Sequence, residues 1–134
     1  MIVIPPEVKE RLLQEVRREY PYEACGILAG KGRVVKHIYP MTNTEKSSVS
    51  YFMDPREQLK VMKDMRKRGM EMVGIYHSHP FTSAYPSSRD IELAFYPVSY
   101  VIISLENKEN PQIRSFRIQE DKVEEEEVVF QEDE

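Results

Sequence analysis

The stretch GIYHSHPFTSAYPSSRD, residues 74–90, predicts the end of a strand, a turn and the start of a helix. Polar and apolar residues alternate before Pro80, which then ends the strand. Because side chains alternate across a strand, one face is predicted to carry Val73, Ile75, His77 and His79. Two imidazoles on one face can converge on a single metal ion, although a His-x-His pair alone is a weak signal for a metal site.

The same stretch ends in SSRD, where a short helix is predicted to begin. Ser87 at the N-cap and Asp90 three residues later would form an aspartate variant of a capping box, and the helix dipole favours a carboxylate there. A carboxylate in the first helical turn can equally face a metal ion. The sequence leaves both roles open. If Asp90 joins the two histidines, three N/O ligands leave a fourth position open, which is typical of catalytic zinc sites.

A hydrolytic metal site also needs a proton carrier that is not itself a ligand. Glu23 is the candidate, because it directly precedes the apolar segment ACGILAG at 24–30. An acid at the mouth of a core strand is unusual, since burying a carboxylate is costly unless it is paired. The alternative is that Glu23 caps a turn after Pro21 and points to solvent.

The segments on either side of this stretch predict one mixed α/β domain. The predicted order is a strand, a helix, a β-hairpin, a helix, a strand, a short helix and two strands, with room for a last short strand. The first helix covers 5–21, and the hairpin turns at the GKG of 30–32. The polar, turn-rich residues 41–51 predict a loop.

The second long helix has the clearest boundaries in the sequence, DPREQLKVMKDMRKRG at 54–69. Asp54 is the predicted N-cap and Pro55 occupies the first helical position. Glu57 is predicted to complete a capping box, and Gly69 is a plausible C-terminal stop.

The composition is ordinary for one soluble globular domain, with 134 residues of which 40% are hydrophobic and 31% charged. One cysteine, Cys25, excludes a disulfide framework and favours a reducing compartment, and its apolar neighbours predict a core position. No segment is long and apolar enough for a signal sequence or a membrane span, so a cytoplasmic location is expected. His37 has no partner nearby in sequence and is assigned no role.

Residues 119–134 carry nine acidic residues and one lysine, whereas the first 118 residues have a net charge of +4. This contrast predicts a catalytic domain over 1–118 followed by a solvated acidic tail, 119–134. The apolar VVF at 128–130 leaves room for a short edge strand in that tail. A nucleic-acid partner is not expected, because no basic stripe with interleaved aromatic residues is present.

Glu23 with its apolar strand, followed by His-Ser-His-Pro, six residues, Ser, two residues and Asp, resembles the JAMM (MPN+) zinc metalloprotease family. The resemblance covers roughly residues 1–118 and implies an α/β MPN (JAMM) fold, cytidine-deaminase-like, with a single mixed central sheet flanked by helices. It implies one Zn²⁺ per chain, held by His77, His79 and Asp90. It also implies that Glu23 is the general base and that Ser87 donates its hydroxyl to the oxyanion.

Members of that family cleave peptide or isopeptide bonds after the C-terminal Gly-Gly of ubiquitin-like β-grasp proteins, and compact prokaryotic members are tied to sulfur-carrier proteins. The resemblance therefore implies a zinc-dependent peptidase or isopeptidase with such a protein as its partner. By position, the segments 42–50 and 81–86 are expected to form the walls for the Gly-Gly tail. Alternatively, the tail adds as a strand to an open sheet edge.

Two other classes of function remain for comparison. The family that the chain resembles also contains metal-free members that assemble large complexes, but those typically lack a ligand position that is filled here. A zinc deaminase would need His-x-Glu and Pro-Cys-x-x-Cys, and the single Cys25 excludes that signature.

Overall fold

The computed structural model describes residues 1–131. Its strands are β1 (Ile2–Ile4), β2 (Cys25–Lys31), β3 (Val34–Met41), β4 (Glu71–His79), β5 (Ser99–Ser104), β6 (Gln112–Gln119), β7 (Lys122–Glu126) and β8 (Val128–Phe130), and its helices are α1 (Pro6–Glu19), α2 (Pro55–Lys67) and α3 (Ser88–Glu92). Within these residues the strands form one mixed sheet in the order β7-β6-β5-β4-β2-β3-β1-β8. The predicted single mixed sheet flanked by helices is therefore present.

Strand β4 lies in the middle of the sheet and ends at the candidate site. It pairs antiparallel with β2 and parallel with β5, and every residue from 73 to 79 is buried. Parallel neighbours need a crossover connection, and α3 lies in that crossover between β4 and β5. The end of β4 and the start of α3 are thus held close together by the topology.

The sheet is covered on both faces, so the core consists of two clusters. Helix α1 packs on one face through Val8, Leu12 and Val16. Helix α2 contributes Met65 to the cluster on the other face. Among the described residues, no helix has the length and hydrophobicity needed to cross a membrane.

The prediction that Val73 shares a face with Ile75 is wrong. Val73 belongs to the cluster under α1, whereas Ile75 belongs to the opposite cluster. The register between β2 and β4 shifts at Leu28/Ala29, which leaves Val73 as an extra residue between the paired positions 72 and 74. Such a bulge reverses the alternation of side chains below it. Beyond the bulge, Ile75 and His77 remain in register with β2.

The N-terminus of α2 follows the prediction except at Glu57. Asp54 is the N-cap, its carboxylate accepts a hydrogen bond from the N–H of Arg56, and Pro55 is the first helical residue. The carboxylate of Glu57 instead accepts hydrogen bonds from the N–H and hydroxyl of Thr42 at 2.7 and 2.8 Å. The predicted capping box is therefore absent. Glu57 instead binds the start of the loop that follows β3 to α2.

The acidic segment after β6 forms two strands of the sheet, whereas the sequence predicts a solvated tail with room for one short strand. The short strand expected at 128–130 is β8, which pairs with β1, and residues 122–126 form a further strand, β7, beside β6. One residue, Glu127, separates β7 from β8, although the two strands lie at opposite ends of the sheet order. The sheet must therefore curl so that its two ends meet at this segment. Residues 132–134 of the predicted tail lie outside the described residues.

Candidate metal centre

The structure brings His77, His79 and Asp90 together at the end of β4. The Nε2 atoms of the two histidines lie 3.1 Å apart, and Oδ2 of Asp90 lies 3.0 Å from His77 Nε2 and 3.1 Å from His79 Nε2. At Zn–ligand distances of roughly 2.0–2.1 Å, neighbouring ligand atoms of a tetrahedron lie about 3.3 Å apart. The three atoms thus form a triangle of nearly the size that a tetrahedral ion requires, and their donor types fit zinc.

The capping box predicted at Ser87 and Asp90 is also present. The Ser87 hydroxyl accepts a hydrogen bond from the N–H of Asp90 at 3.1 Å, and Asp90 Oδ2 accepts one from the N–H of Ser87 at 2.9 Å. The cap and the metal-binding geometry are therefore not alternatives. The cap fixes the rotamer of Asp90, and the same Oδ2 atom faces both imidazoles.

The ring of His79 is oriented by a backbone carbonyl. Its Nδ1 donates a hydrogen bond to Ser83 O at 2.8 Å, which leaves the lone pair of Nε2 free for a metal. The Ser104 hydroxyl donates to Thr82 O at 2.6 Å, and Ala84 is fully buried, so the turn that supplies this carbonyl is anchored to the sheet.

The electrostatics of His77 and Asp90 favour the protonation states that bind metal. Burial lowers the pKa of His77, so that the neutral imidazole is favoured even beside a carboxylate. Burial alone would raise the pKa of Asp90, but the two imidazoles and the Ser87 N–H hold it well below its usual value. A neutral imidazole and an ionised carboxylate are the forms that coordinate metal ions. Burial alone would lower the pKa of His79, but its hydrogen bonds with Asp90 and Ser83 raise it.

Glu23 is buried rather than solvent-facing, with only 3% of its surface exposed. Its Oε1 has no hydrogen-bond partner among residues 1–131. Burial raises the pKa of Glu23 to about 8, and the nearby His79 lowers it only in part. A carboxyl group whose pKa lies near neutrality can both accept and release a proton.

The backbone on both sides of the Glu23 side chain is fixed by the surrounding segments. The N–H of Glu23 donates to Ser47 O at 2.8 Å, and its carbonyl accepts from Asn43 Nδ2 at 3.1 Å. The next N–H, that of Ala24, donates to the hydroxyl of Ser78 at 2.8 Å. Ser78 lies between the two histidines, so it joins the segment that carries Glu23 directly to the strand that carries the candidate ligands.

Sequence reasoning missed the supporting residues of the site, namely Asn43, Tyr51, Ser78 and Ser83. The aromatic ring of Tyr51 stacks on the imidazole of His77, with ring centroids 4.6 Å apart. No motif marks these positions, because each acts through a contact that depends on how distant segments meet. The loop prediction for 41–51 gave no sign that Tyr51 would reach the ligands.

Two other residues behave as predicted. Cys25 is a buried free thiol in the core beside His77, and burial raises its pKa to about 12, so it stays protonated. His37 makes an edge-to-face contact with Tyr39 in β3 and is not part of the candidate metal group.

Solved structures define the class to which this fold belongs. Protein DSY2949 from Desulfitobacterium hafniense is 45% identical and superposes with a TM-score of 0.92, covering 99% of this chain and 94% of that chain. A JAB1/MPN domain protein from Archaeoglobus fulgidus is 20% identical, with a TM-score of 0.66 over 96% of each chain. The second likeness concerns the fold alone, and that fold is the JAB/MPN fold, as the sequence predicts.

A family match makes the assignment more specific. Residues 5–119 match the family described as prokaryotic homologs of the JAB domain. The chain belongs to this family.

Curated relatives match along nearly the whole chain. The CysO-cysteine peptidase of Mycobacterium tuberculosis is 42% identical over 132 residues, which cover 96% of this chain and 90% of that protein. The probable TtuB-protein conjugate cleaving protease of Thermus thermophilus is 34% identical over 121 residues, covering 90% of this chain and 78% of that protein.

Proposed function

We propose that this chain is a zinc-dependent peptidase or isopeptidase that cleaves after the C-terminal Gly-Gly of a ubiquitin-like or sulfur-carrier β-grasp protein. One observation carries the proposal: three candidate ligand atoms, 3.0–3.1 Å apart, lie in the same site as a buried carboxyl group with an unpaired oxygen. The relatives named as peptidases of CysO-cysteine and of TtuB conjugates support the substrate class.

In this proposal His77, His79 and Asp90 hold one Zn²⁺ per chain. Their two imidazole nitrogens and one carboxylate oxygen fit a catalytic zinc site with an open fourth position. A bound zinc ion supplies Lewis acidity and a water molecule of lowered pKa.

Glu23 and Ser87 are the proposed catalytic residues. Glu23 takes a proton from the attacking water and passes it to the nitrogen of the leaving amine. Its burial raises its pKa, which favours the protonated form that carries the proton between the two steps. The Ser87 oxygen already accepts the N–H of Asp90, so its O–H is free to donate to the oxygen of the scissile carbonyl. The rigid cap holds this donor in place without a conformational change.

The substrate tail is proposed to lie between the segments 42–50 and 81–86. The first segment is hydrogen-bonded to the backbone of Glu23 through Ser47 and Asn43, and the second holds His79 through Ser83 O. Each wall is thus connected to a different part of the site. A cleft of about 470 Å³ borders Glu23 and the first segment, but its lining includes none of the candidate ligands and no residue of 81–86. A larger cleft of about 670 Å³ contains none of the candidate site residues.

We place this activity in the cytoplasm, because a buried free thiol as the sole cysteine suits a reducing compartment. A non-catalytic scaffold is the alternative that the sequence left open. No observation favours it, since all three candidate ligands are present and converge, and Glu23 is near enough to His79 and Asp90 for their charges to shift its pKa.

The test is to incubate the zinc-loaded protein with β-grasp proteins from its own host, each extended beyond Gly-Gly either by a peptide or through a lysine isopeptide bond. Mass spectrometry is expected to show one cut, directly after the second glycine. The Glu23→Gln variant, which keeps every candidate ligand, is expected to bind zinc and leave the substrates intact. A wild-type protein that binds zinc and cuts none of these substrates would refute the substrate assignment, and near-normal turnover by the variant would refute the base.

A further inference from the structure

The two histidines of the candidate metal centre are held in different ways. Nδ1 of His79 donates to a backbone carbonyl, which is the usual means of orienting a metal-binding imidazole. Nδ1 of His77 is buried and has no hydrogen-bond partner among the residues that the structure describes. Without such a bond, rotation about the Cβ–Cγ bond of His77 is limited by packing and by the contact of its Nε2 with Asp90.

One aromatic side chain packs face-on against the imidazole of His77. The ring of Tyr51 lies at 26° to the imidazole plane, with 4.6 Å between centroids. Cys25 and Ile102 flank His77 on the neighbouring strands, so the ring is confined from the sides as well as on its face. Within residues 1–131 the Tyr51 hydroxyl makes no hydrogen bond. Tyr51 therefore contacts His77 through its aromatic ring and not through its hydroxyl.

The position of Tyr51 is set by the side-chain amide of Asn43. Asn43 Nδ2 donates to Ser50 O at 3.0 Å, and Asn43 Oδ1 accepts from the N–H of Phe52 at 3.2 Å. These bonds fix the residues immediately before and after Tyr51. The same Nδ2 also binds the carbonyl of Glu23, so one amide links the candidate base to the residue that covers a candidate ligand.

We propose that Tyr51 is a positioning residue for metal binding, and that its ring replaces for His77 the hydrogen bond that orients His79. This inference rests on the proposed role of His77 as a ligand. A tyrosine face also attracts positive charge, and a metal ion makes the imidazole that it binds more positive. The stack therefore favours the metal-bound form over the free form, beyond holding the ring still.

The test measures zinc affinity by competition with a chromophoric chelator and ligand geometry by the visible spectrum of the Co²⁺-loaded protein. Tyr51→Phe keeps the ring, so its zinc affinity is expected to stay within about twofold of wild type. Tyr51→Leu removes the ring and is expected to bind zinc about 10–100-fold more weakly, which is the usual range for losing a group that orients a ligand. Its Co²⁺ spectrum is expected to change as well.

The chain offers a matched control in Tyr39, which packs against a histidine outside the site. The Tyr39 and His37 rings have centroids 4.5 Å apart. Tyr39→Leu is expected to lower stability, because it also loses the hydrogen bond to Asp64, but to leave zinc affinity and the Co²⁺ spectrum unchanged.

Each outcome decides the inference. If Tyr51→Leu binds zinc as tightly as wild type, the inference fails while the proposed function stands. A well-folded Tyr51→Phe variant with tenfold weaker binding would also overturn it, because the hydroxyl would then be the essential group. This second variant decides the matter even if Tyr51→Leu does not fold. A wild-type chain that binds no zinc refutes the proposed function and this inference together.

Discussion

Arg89 and Glu45 form an ion pair, with Arg89 Nη2 2.6 Å from Glu45 Oε2, that joins two segments 44 residues apart in sequence. Arg89 directly precedes the candidate ligand Asp90, and Glu45 belongs to the loop whose backbone is bonded to Glu23. The pair therefore connects the helix that supplies the acidic ligand with the loop that positions the candidate base.

Glu45→Gln is expected to loosen this loop with little effect on global stability. Both side chains are partly exposed, and such pairs contribute about 0.2–1 kcal/mol. Hydrogen exchange at Glu23 and Thr44, whose N–H groups bond to Ser47 O and Phe52 O, is expected to quicken. Unchanged exchange at both amides would show that the hydrogen bonds of Asn43 hold the loop without the ion pair.

Asp90→Ala is expected to abolish zinc binding and cleavage together, whereas the wild-type protein is expected to bind about one zinc per chain by metal analysis. The matched control is Asp54→Ala, which removes the N-cap acid of α2 but touches no candidate ligand. That change is expected to cost about 1 kcal/mol of unfolding free energy and to leave metal content unchanged. If Asp90→Ala only lowers the melting temperature, Asp90 acts as a cap and not as a ligand.

Glu126 is expected to make the stability of the fold depend on pH, independently of the candidate metal centre. Burial alone would raise its pKa, but hydrogen bonds from the amino group of Met1 and from Ser115 lower it to about 2. An acid with a lowered folded-state pKa stabilises the fold above its unfolded value of about 4.5, and this stabilisation is lost as the pH falls toward 2.

The Glu126→Gln variant is therefore expected to be less stable than wild type by about 2 kcal/mol at pH 7, the contribution of hydrogen bonds to a charged group. The difference should shrink between about pH 5 and pH 2. Urea unfolding at several pH values measures it, and a difference that stays constant across this range would contradict the assignment.

Gly26→Ala is expected to destabilise the fold by about 3 kcal/mol through overpacking. An added Cβ at Gly26 would lie 2.4 Å from both Tyr39 O and Tyr76 Cε1. Tyr76 is fully buried, so its ring has little freedom to move away. The control is Gly32→Ala, where nothing lies within 4 Å and the cost arises from a φ of +60° alone. Equal unfolding free energies for the wild type and Gly26→Ala would contradict the clash.

The sequence predicts where His77, His79 and Asp90 lie, because their placement follows local rules. Strand alternation puts His77 and His79 on one face, and the capping preference of Ser and Asp puts Asp90 in the first turn of α3. Glu23 depended instead on the family resemblance, since the sequence alone left its burial open.

The features that the sequence did not predict depend on contacts between distant segments. The bulge at Val73 arises from a register shift against β2. The hydrogen bond that Thr42 donates to Glu57 depends on how the loop meets α2. In the same way, the acidic composition of 119–131 hides β7, because its half-buried positions, Val123 and Glu126, are defined only by pairing with β6. No local pattern contains such information.

The joining of β7 to β8 through Glu127 alone has a consequence for the order of folding. Strand β1 leaves the ribosome first, yet its pairing with β8 forms only after residues 128–130 have been made. Contacts of such long sequence separation slow folding. Until those residues emerge during synthesis, the growing chain has an exposed sheet edge at β1, so the pairing of β8 protects that edge.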